Sequence, residues 1–334
     1  MASLFIIKCE PSGSSLNLYF AKVLEINYRP VFSYDVASLI PSKFVDEVRV
    51  IVSAVRGLSI EKVGGDLLGT IFHNLIPLGI RKAVAAYYTN VLAAEFLAEL
   101  SIERPDVKVA DLAVGSGGLL VAAYRIKRAL LRIPLTQKIH QRIVEEELLG
   151  IDVMPFAANV AACHLALQSP AHLTNHVSIA VWDSSDLSPG RIIPAAADIS
   201  DVLLGQTSLD SFSSGRRTVK GVMKLTGSSP KDLTLKEVDL VIMNPPFTRH
   251  GIIPDAYKQI LDDRFSDYKQ YAHGQLGLYG FFVFLAGAYG FSAPGKRVTS
   301  EVVHRAQAAV VKKLHCRTDN NNMAQVSLLR ECFF

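Results

Sequence analysis

"VKVADLAVGSGGLLVAAYRIKRALLRI", residues 107–133, runs from a short apolar stretch through an acid and a cluster of glycines into a long segment with apolar residues at helical spacing. That change of period marks a strand turning into a helix. Gly115, Gly117 and Gly118 at the join give the backbone conformations closed to other residues and let a ligand approach closely. The pattern then repeats. "EELLGIDVMP" (146–155) predicts a second strand and "FAANVAACHLALQ" (156–168) a second helix; "HVSIAVWDSSDL" (176–187) and "VDLVIMNPPF" (238–247) predict a third and a fourth strand. Strands alternating with helices of this length predict βαβ units, hence an α/β fold with a mostly parallel sheet and helices on both faces.

Working outward, residues 42–78 carry apolar positions at helical spacing with a break at Gly64-Gly65, so a helical N-terminal region is expected over 1–78. A further helix is expected over 89–101, capped by Thr89 or Asn90. Between the third and fourth strands, 188–236 is rich in Ser, Gly, Lys and Arg and reads as a flexible, solvated insert, or as a basic flap over a nucleic-acid groove.

Composition narrows the class. With 334 residues, 49% hydrophobic and 20% charged, the chain has the balance of a packed globular protein. A formal charge of +4 suits a nucleic-acid binder without demanding one. The four cysteines, Cys9, Cys163, Cys316 and Cys332, are widely separated, which argues against a zinc site or disulfide framework and for a reducing, cytoplasmic setting. None of the nine histidines pairs with a carboxylate at metal-binding spacing, so no metal is expected. The N-terminus has no signal-peptide pattern. The apolar run 278–291 is too short for a bilayer and holds three glycines, so it reads as a buried helix and no membrane partner is expected.

Two common ligands of glycine turns fit poorly. Leu120 stands where a dinucleotide fingerprint needs its third glycine, the next strand-end acid is as far on as Asp152, and no Lys-Ser/Thr pair follows the glycines. An acid ahead of the turn suits a ligand bearing an ammonium group. Asp111, Asp152 and Asp183 close three successive strands, the end at which doubly wound sheets bind ligands. Asp152 there suits two ribose hydroxyls and Asp183 an adenine amino group. Each acid alone would also serve as a helix cap or turn former.

Five blocks in order carry a resemblance: "RKAVAAYYTNVLAAEFL" (81–97), "VADLAVGSGGLLVAAY" (109–124), "LLGIDVMPFAANVAACHLAL" (148–167), "VWDSSDL" (181–187) and "DLVIMNPPF" (239–247). Together they resemble the S-adenosylmethionine-dependent adenine-N6 DNA methyltransferases, in particular the modification subunits of type I restriction systems. The resemblance implies a Rossmann-like class I methyltransferase domain over 79–298, preceded by the helical region 1–78. It implies Tyr88 and Thr89 beside the methionine part of S-adenosylmethionine, and Asp111, Gly115 and Gly117 around its amino-acid end. Asp152 is implied at the ribose, Asp183 at the adenine, and Phe156 packed on that adenine. DNA with a flipped adenine is the implied substrate, with a specificity subunit and a restriction subunit as partners. Asn90 and Leu112 stand where the family usually has proline. The resemblance stops near residue 298, so 299–334 is expected to be an atypical tail, truncated or divergent.

Asn244, Pro245, Pro246 and Phe247 suit such chemistry. An exocyclic amine is a poor nucleophile because its lone pair is delocalised into the ring. Two acceptors aimed at its hydrogens, the Asn244 side-chain carbonyl and the Pro245 backbone carbonyl, favour pyramidal nitrogen. Consecutive prolines fix the segment and keep those acceptors in place. Phe247 is the platform for the extruded base. Other readings stay open: an amino-group methyltransferase acting on RNA or on protein glutamine, or an inert cofactor-binding fold.

Overall fold

The computed structural model describes residues 41–44, 46–47, 50, 89–169, 171–174, 176–188, 190–194, 221–224, 232–236, 238–266 and 276–288. The expectations for Tyr88, for almost all of 1–78, for most of 188–236 and for 299–334 lie outside the described residues.

Helix α1, Val91–Ser101, leads into strand β1, Val109–Asp111, and helix α2, Gly118–Leu131. The short helix α3, Gln137–Gln141, runs through a π-helical turn, Arg142–Glu147, into β2, Leu148–Asp152. Helix α4, Pro155–Ala166, returns to β3, His176–Val181. Then come the short strands β4, Ile192–Ile193, β5, Gly221–Lys224, and β6, Leu233–Thr234. Strand β7, Leu240–Val241, is followed by α5, Asp255–Arg264, and α6, Leu278–Ala288.

The main sheet has the order β5-β3-β2-β1-β7, with β3, β2, β1 and β7 parallel and β5 antiparallel at the edge. Strand β1 pairs with β2 on one side (Val109 opposite Leu148) and with β7 on the other (Val109 opposite Leu240). Chain order therefore reverses between β1 and β7. In open α/β sheets that reversal opens a crevice beyond the carboxyl ends of the strands, where ligands bind.

Strand alternation assigns the two sheet faces. Val109, Leu148, Val177, Ile179, Leu240 and Ile242 pack with α1, α2 and α4, through residues such as Ala98, Leu120 and Ala161. Ala110, Leu149, Ile151, Ala180, Val241 and Met243 point the other way, onto Leu261 and Phe265 of the α5 region and Phe281 and Leu285 of α6. Successive strand residues face opposite sides, so strands buried on both faces read as continuous apolar runs. The fold is thus the expected α/β one, a mostly parallel sheet with helices on both faces.

At the amino ends of the strands, away from the crevice, Lys127 is fully buried. Its ammonium donates to the Val107 carbonyl, just before β1, and pairs with Glu147, just before β2, at 2.9 Å. Burial pulls the Lys127 pKa down, and Glu147 opposes that pull. The pair clamps the two central strands at the end opposite the candidate site.

Part of the insert 188–236 lies among the described residues. Its described segments include β5, added to the β3 edge with Val222 buried, and an antiparallel ladder of β4 with β6. Strands of two to four residues leave no periodic signal in a polar stretch, and only their pairing reveals them. Helix α6 buries Phe281, Leu285 and Ala286 but leaves Tyr279 and Val283 exposed on one edge, so it is not enclosed on all sides. No helix among the described residues is long and apolar enough to cross a membrane.

Candidate functional site

The turn after β1 is built from the acid outward. Asp111 ends β1 and is buried; its Oδ1 accepts from the Ala113 amide at 3.0 Å. Its Oδ2 is buried with no hydrogen-bond partner. Burial pushes the Asp111 pKa up to about 8, with the neighbouring Asp152 carboxylate adding to the rise and the Ala113 hydrogen bond opposing it. A buried carboxyl oxygen left without a partner is costly. A cation placed beside it would remove that cost.

The glycines shape the turn. Gly115 has φ +52° and Gly117 φ +86°, both left-handed. A Cβ on Gly117 would lie 3.1 Å from Ala161 of α4, whereas one on Gly115 would meet nothing within 4 Å. Gly117 is therefore required by conformation and by helix packing, and Gly115 by conformation beside open space. The Gly115 amide donates to Asp152 Oδ2 at 2.9 Å, and the Val114 amide to the Ile151 carbonyl at 2.9 Å, so the turn is fastened to the end of β2.

Asp152 also accepts from the Met154 amide at 2.8 Å through Oδ1. Burial raises its pKa and these amide bonds oppose the rise. The Val153 amide is a further backbone partner of this carboxylate. Phe156, in the first turn of α4, is 57% exposed beside that strand end.

Asp183 is more fully engaged. Its Oδ1 accepts from the Ser185 amide, the Ser185 hydroxyl and the Tyr257 hydroxyl, at 3.0, 2.8 and 3.0 Å. Its Oδ2 pairs with Arg264 at 2.9 Å. Burial raises the Asp183 pKa, but the Arg264, Ser185 and Tyr257 bonds outweigh it and leave the group below the usual carboxylate range. With Oδ1 filled, an incoming amino group has the remaining acceptor site on Oδ2. Arg264 and Tyr257 lie on α5, over seventy residues along the chain, and sequence reasoning missed both because nothing local links them to Asp183.

Across the crevice, the strand leading to the prolines keeps its bond to β1 beyond the end of β7: the Ile242 amide donates to the Ala110 carbonyl at 2.8 Å. Asn244 follows, half-buried, and its Nδ2 donates to Thr89 Oγ1 at 3.1 Å. Pro245 is buried and Pro246 half-buried, while Phe247 is 43% exposed. Phe247 stacks with Tyr279 of α6, centroids 5.8 Å apart and planes at 28°. The Leu278 amide donates to the Thr248 carbonyl at 3.0 Å, which sets the start of α6 against the segment after the prolines. Tyr279 is a second aromatic that the sequence reading treated as part of a core helix. Its polar tip within an apolar run was the one signal available.

Thus Asp111, Gly115, Gly117, Asp152 and Asp183 line the strand ends, and Thr89 and Asn244 meet at the β1–β7 side. Among the described residues, no group of three or more His, Cys, Asp or Glu is placed to hold a metal.

No family model matches the sequence, and the comparison with curated proteins returns no match. Structures with a similar backbone include a subunit from Vibrio vulnificus YJ016 assigned as the modification subunit of a type I restriction enzyme, at TM-score 0.35 and 17% identity. That likeness covers 74% of this chain and 46% of the other. The type IIG restriction endonuclease BpuSI is similar at TM-score 0.43 and 15% identity, over 86% of this chain and 27% of its own. The DrdV–DNA complex follows at 0.39 and 15%, over 75% and 22%. The chain spans less than half the length of each. At these scores the functional reading rests on the residues of the site.

Proposed function

We propose that the chain is an S-adenosylmethionine-dependent amino-group methyltransferase acting on adenine N6 in DNA. The observation that carries the reading is the buried, unpartnered Asp111 Oδ2 at the β1 end, next to the strand that delivers Asn244.

The residues suit the methyl donor. Asp111 Oδ2 would accept from its ammonium group, and the open space beside Gly115 would admit its amino-acid end. The Asp152 carboxylate at the end of β2 matches ribose hydroxyls, the remaining acceptor site on Asp183 Oδ2 matches an adenine amino group, and Phe156 offers an exposed ring nearby. When bound, S-adenosylmethionine supplies a methyl group on a sulfonium, displaced in line by the amine while the C–S electron pair returns to sulfur. Asn244 Oδ1 and the Pro245 carbonyl would accept the two amine hydrogens and direct the nitrogen lone pair at the methyl carbon. The surplus proton on nitrogen then passes to solvent, so no strong base is needed. Phe247 and Tyr279 present the aromatic surface against which a base leaving the duplex would stack.

The test is transfer of labelled methyl groups to DNA by the wild-type chain and by Asn244→Ala. Loss of one preorganised acceptor should lower turnover by about 100-fold or more. Unchanged turnover in the variant would refute the proposed role of the amide.

A further inference from the structure

We infer that Thr89 is a positioning residue that anchors the Asn244 carboxamide by its nitrogen end. The inference deepens the methyltransferase reading and rests on it.

A carboxamide has an acceptor end and a donor end of nearly equal size, exchanged by a half-turn of its last torsion. Only the acceptor end is useful against an amino group; the donor end would set N–H against N–H. A catalytic asparagine is helped by a partner that engages its donor end. Thr89 does so: its Oγ1 accepts from Asn244 Nδ2 at 3.1 Å, across 155 residues of sequence. With the nitrogen held there, Oδ1 is turned to the opposite side of the amide.

Thr89 is itself held. The next residue, Asn90, caps α1: its side chain accepts from the Leu92 amide and its carbonyl from the Ala94 amide, both at 2.9 Å. Ala94 and Ala98 bury α1 in the core that contains α2, and Glu95 of α1 pairs with Arg125 of α2 at 3.1 Å. Helix α2 in turn starts at the glycine turn. The hydroxyl therefore registers the Asn-Pro-Pro segment against the element that forms the other wall of the site. The asparagine in place of proline at residue 90 is compatible with this, because its side chain supplies the cap.

The experiment compares the wild-type chain with Thr89→Val and Thr89→Ser. Valine keeps the shape and removes the hydroxyl; serine keeps the hydroxyl. Thr89→Val should lower kcat for methyl transfer by about threefold to tenfold, as for a lost hydrogen bond, with less change in the KM for DNA. Thr89→Ser should restore it. Independently of turnover, the Asn244 side-chain amide resonances, identified by their loss in Asn244→Asp, should move in Thr89→Val and return in Thr89→Ser. Asn244 resonances indifferent to Thr89→Val, or a kcat that serine fails to rescue, would overturn the inference. A wild-type chain that transfers no methyl group while the resonances behave as stated would overturn the methyltransferase reading and leave the contact standing.

Discussion

Asp111 carries the most unusual electrostatics of the site. Its pKa stands near 8 because burial disfavours the charged form. Below about pH 4 the folded and unfolded chains both carry this proton. Between there and about pH 8 the unfolded chain releases it and the folded chain keeps it, so this group weakens folding as pH rises. Asp111→Asn removes that dependence. In urea titrations the stability of Asp111→Asn relative to wild type should therefore increase from pH 5 to pH 8; a constant difference would mean that the buried acid does not titrate this way. Phe247 makes the second residue-scale prediction. Phe247→Ala should weaken binding of single-stranded, adenine-containing DNA by about 1–3 kcal/mol, the usual worth of one base–aromatic stack, measurable by fluorescence anisotropy. The strand-end acids were legible in the sequence because each ends an apolar run. The partners of Asp183 and of Asn244 were not, because those pairs join residues 74, 81 and 155 positions apart.

At the scale of elements, α5 is tied to the β3 end by polar contacts as well as by burial of Leu261. Arg264 bridges Asp183 at 2.9 Å and Asp186 at 3.5 Å, and also bonds Ser185. Tyr257, about two turns earlier on the same face of α5, reaches the same carboxylate. Arg264→Ala should loosen this helix more than the sheet. Amide exchange should quicken across 255–264 by a factor corresponding to about 1–2 kcal/mol, since the pair is only partly buried, while β1 and β2 stay protected. Equal acceleration in both regions would show that the contact supports the whole fold instead. Helices α1, α2 and α4 and strands β1 to β3 were readable from periodicity. The pieces β4, β5 and β6 were not, because strands so short inside a polar stretch are set by the edges they pair with.

For the molecule as a whole, function follows from topology. The strand order reverses between β1 and β7, and this brings the glycine turn and the Asn-Pro-Pro segment to one crevice although more than a hundred residues separate them. The sequence shows both ends of that crevice, since each is a strand ending in an unusual turn. It does not show that they are neighbours, because pairing of β1 with β7 depends on which edge the chain returns to. On the proposed function the site has two separable halves: the turn would hold the donor, and Asn244 would activate the acceptor. The most direct test measures both halves in one variant, by calorimetry with S-adenosylmethionine and by formation of N6-methyladenine in DNA. Asn244→Ala should bind S-adenosylmethionine within a few-fold of wild type and form N6-methyladenine at least about 100-fold more slowly. N6-methyladenine formed by Asn244→Ala at the wild-type rate would contradict the account.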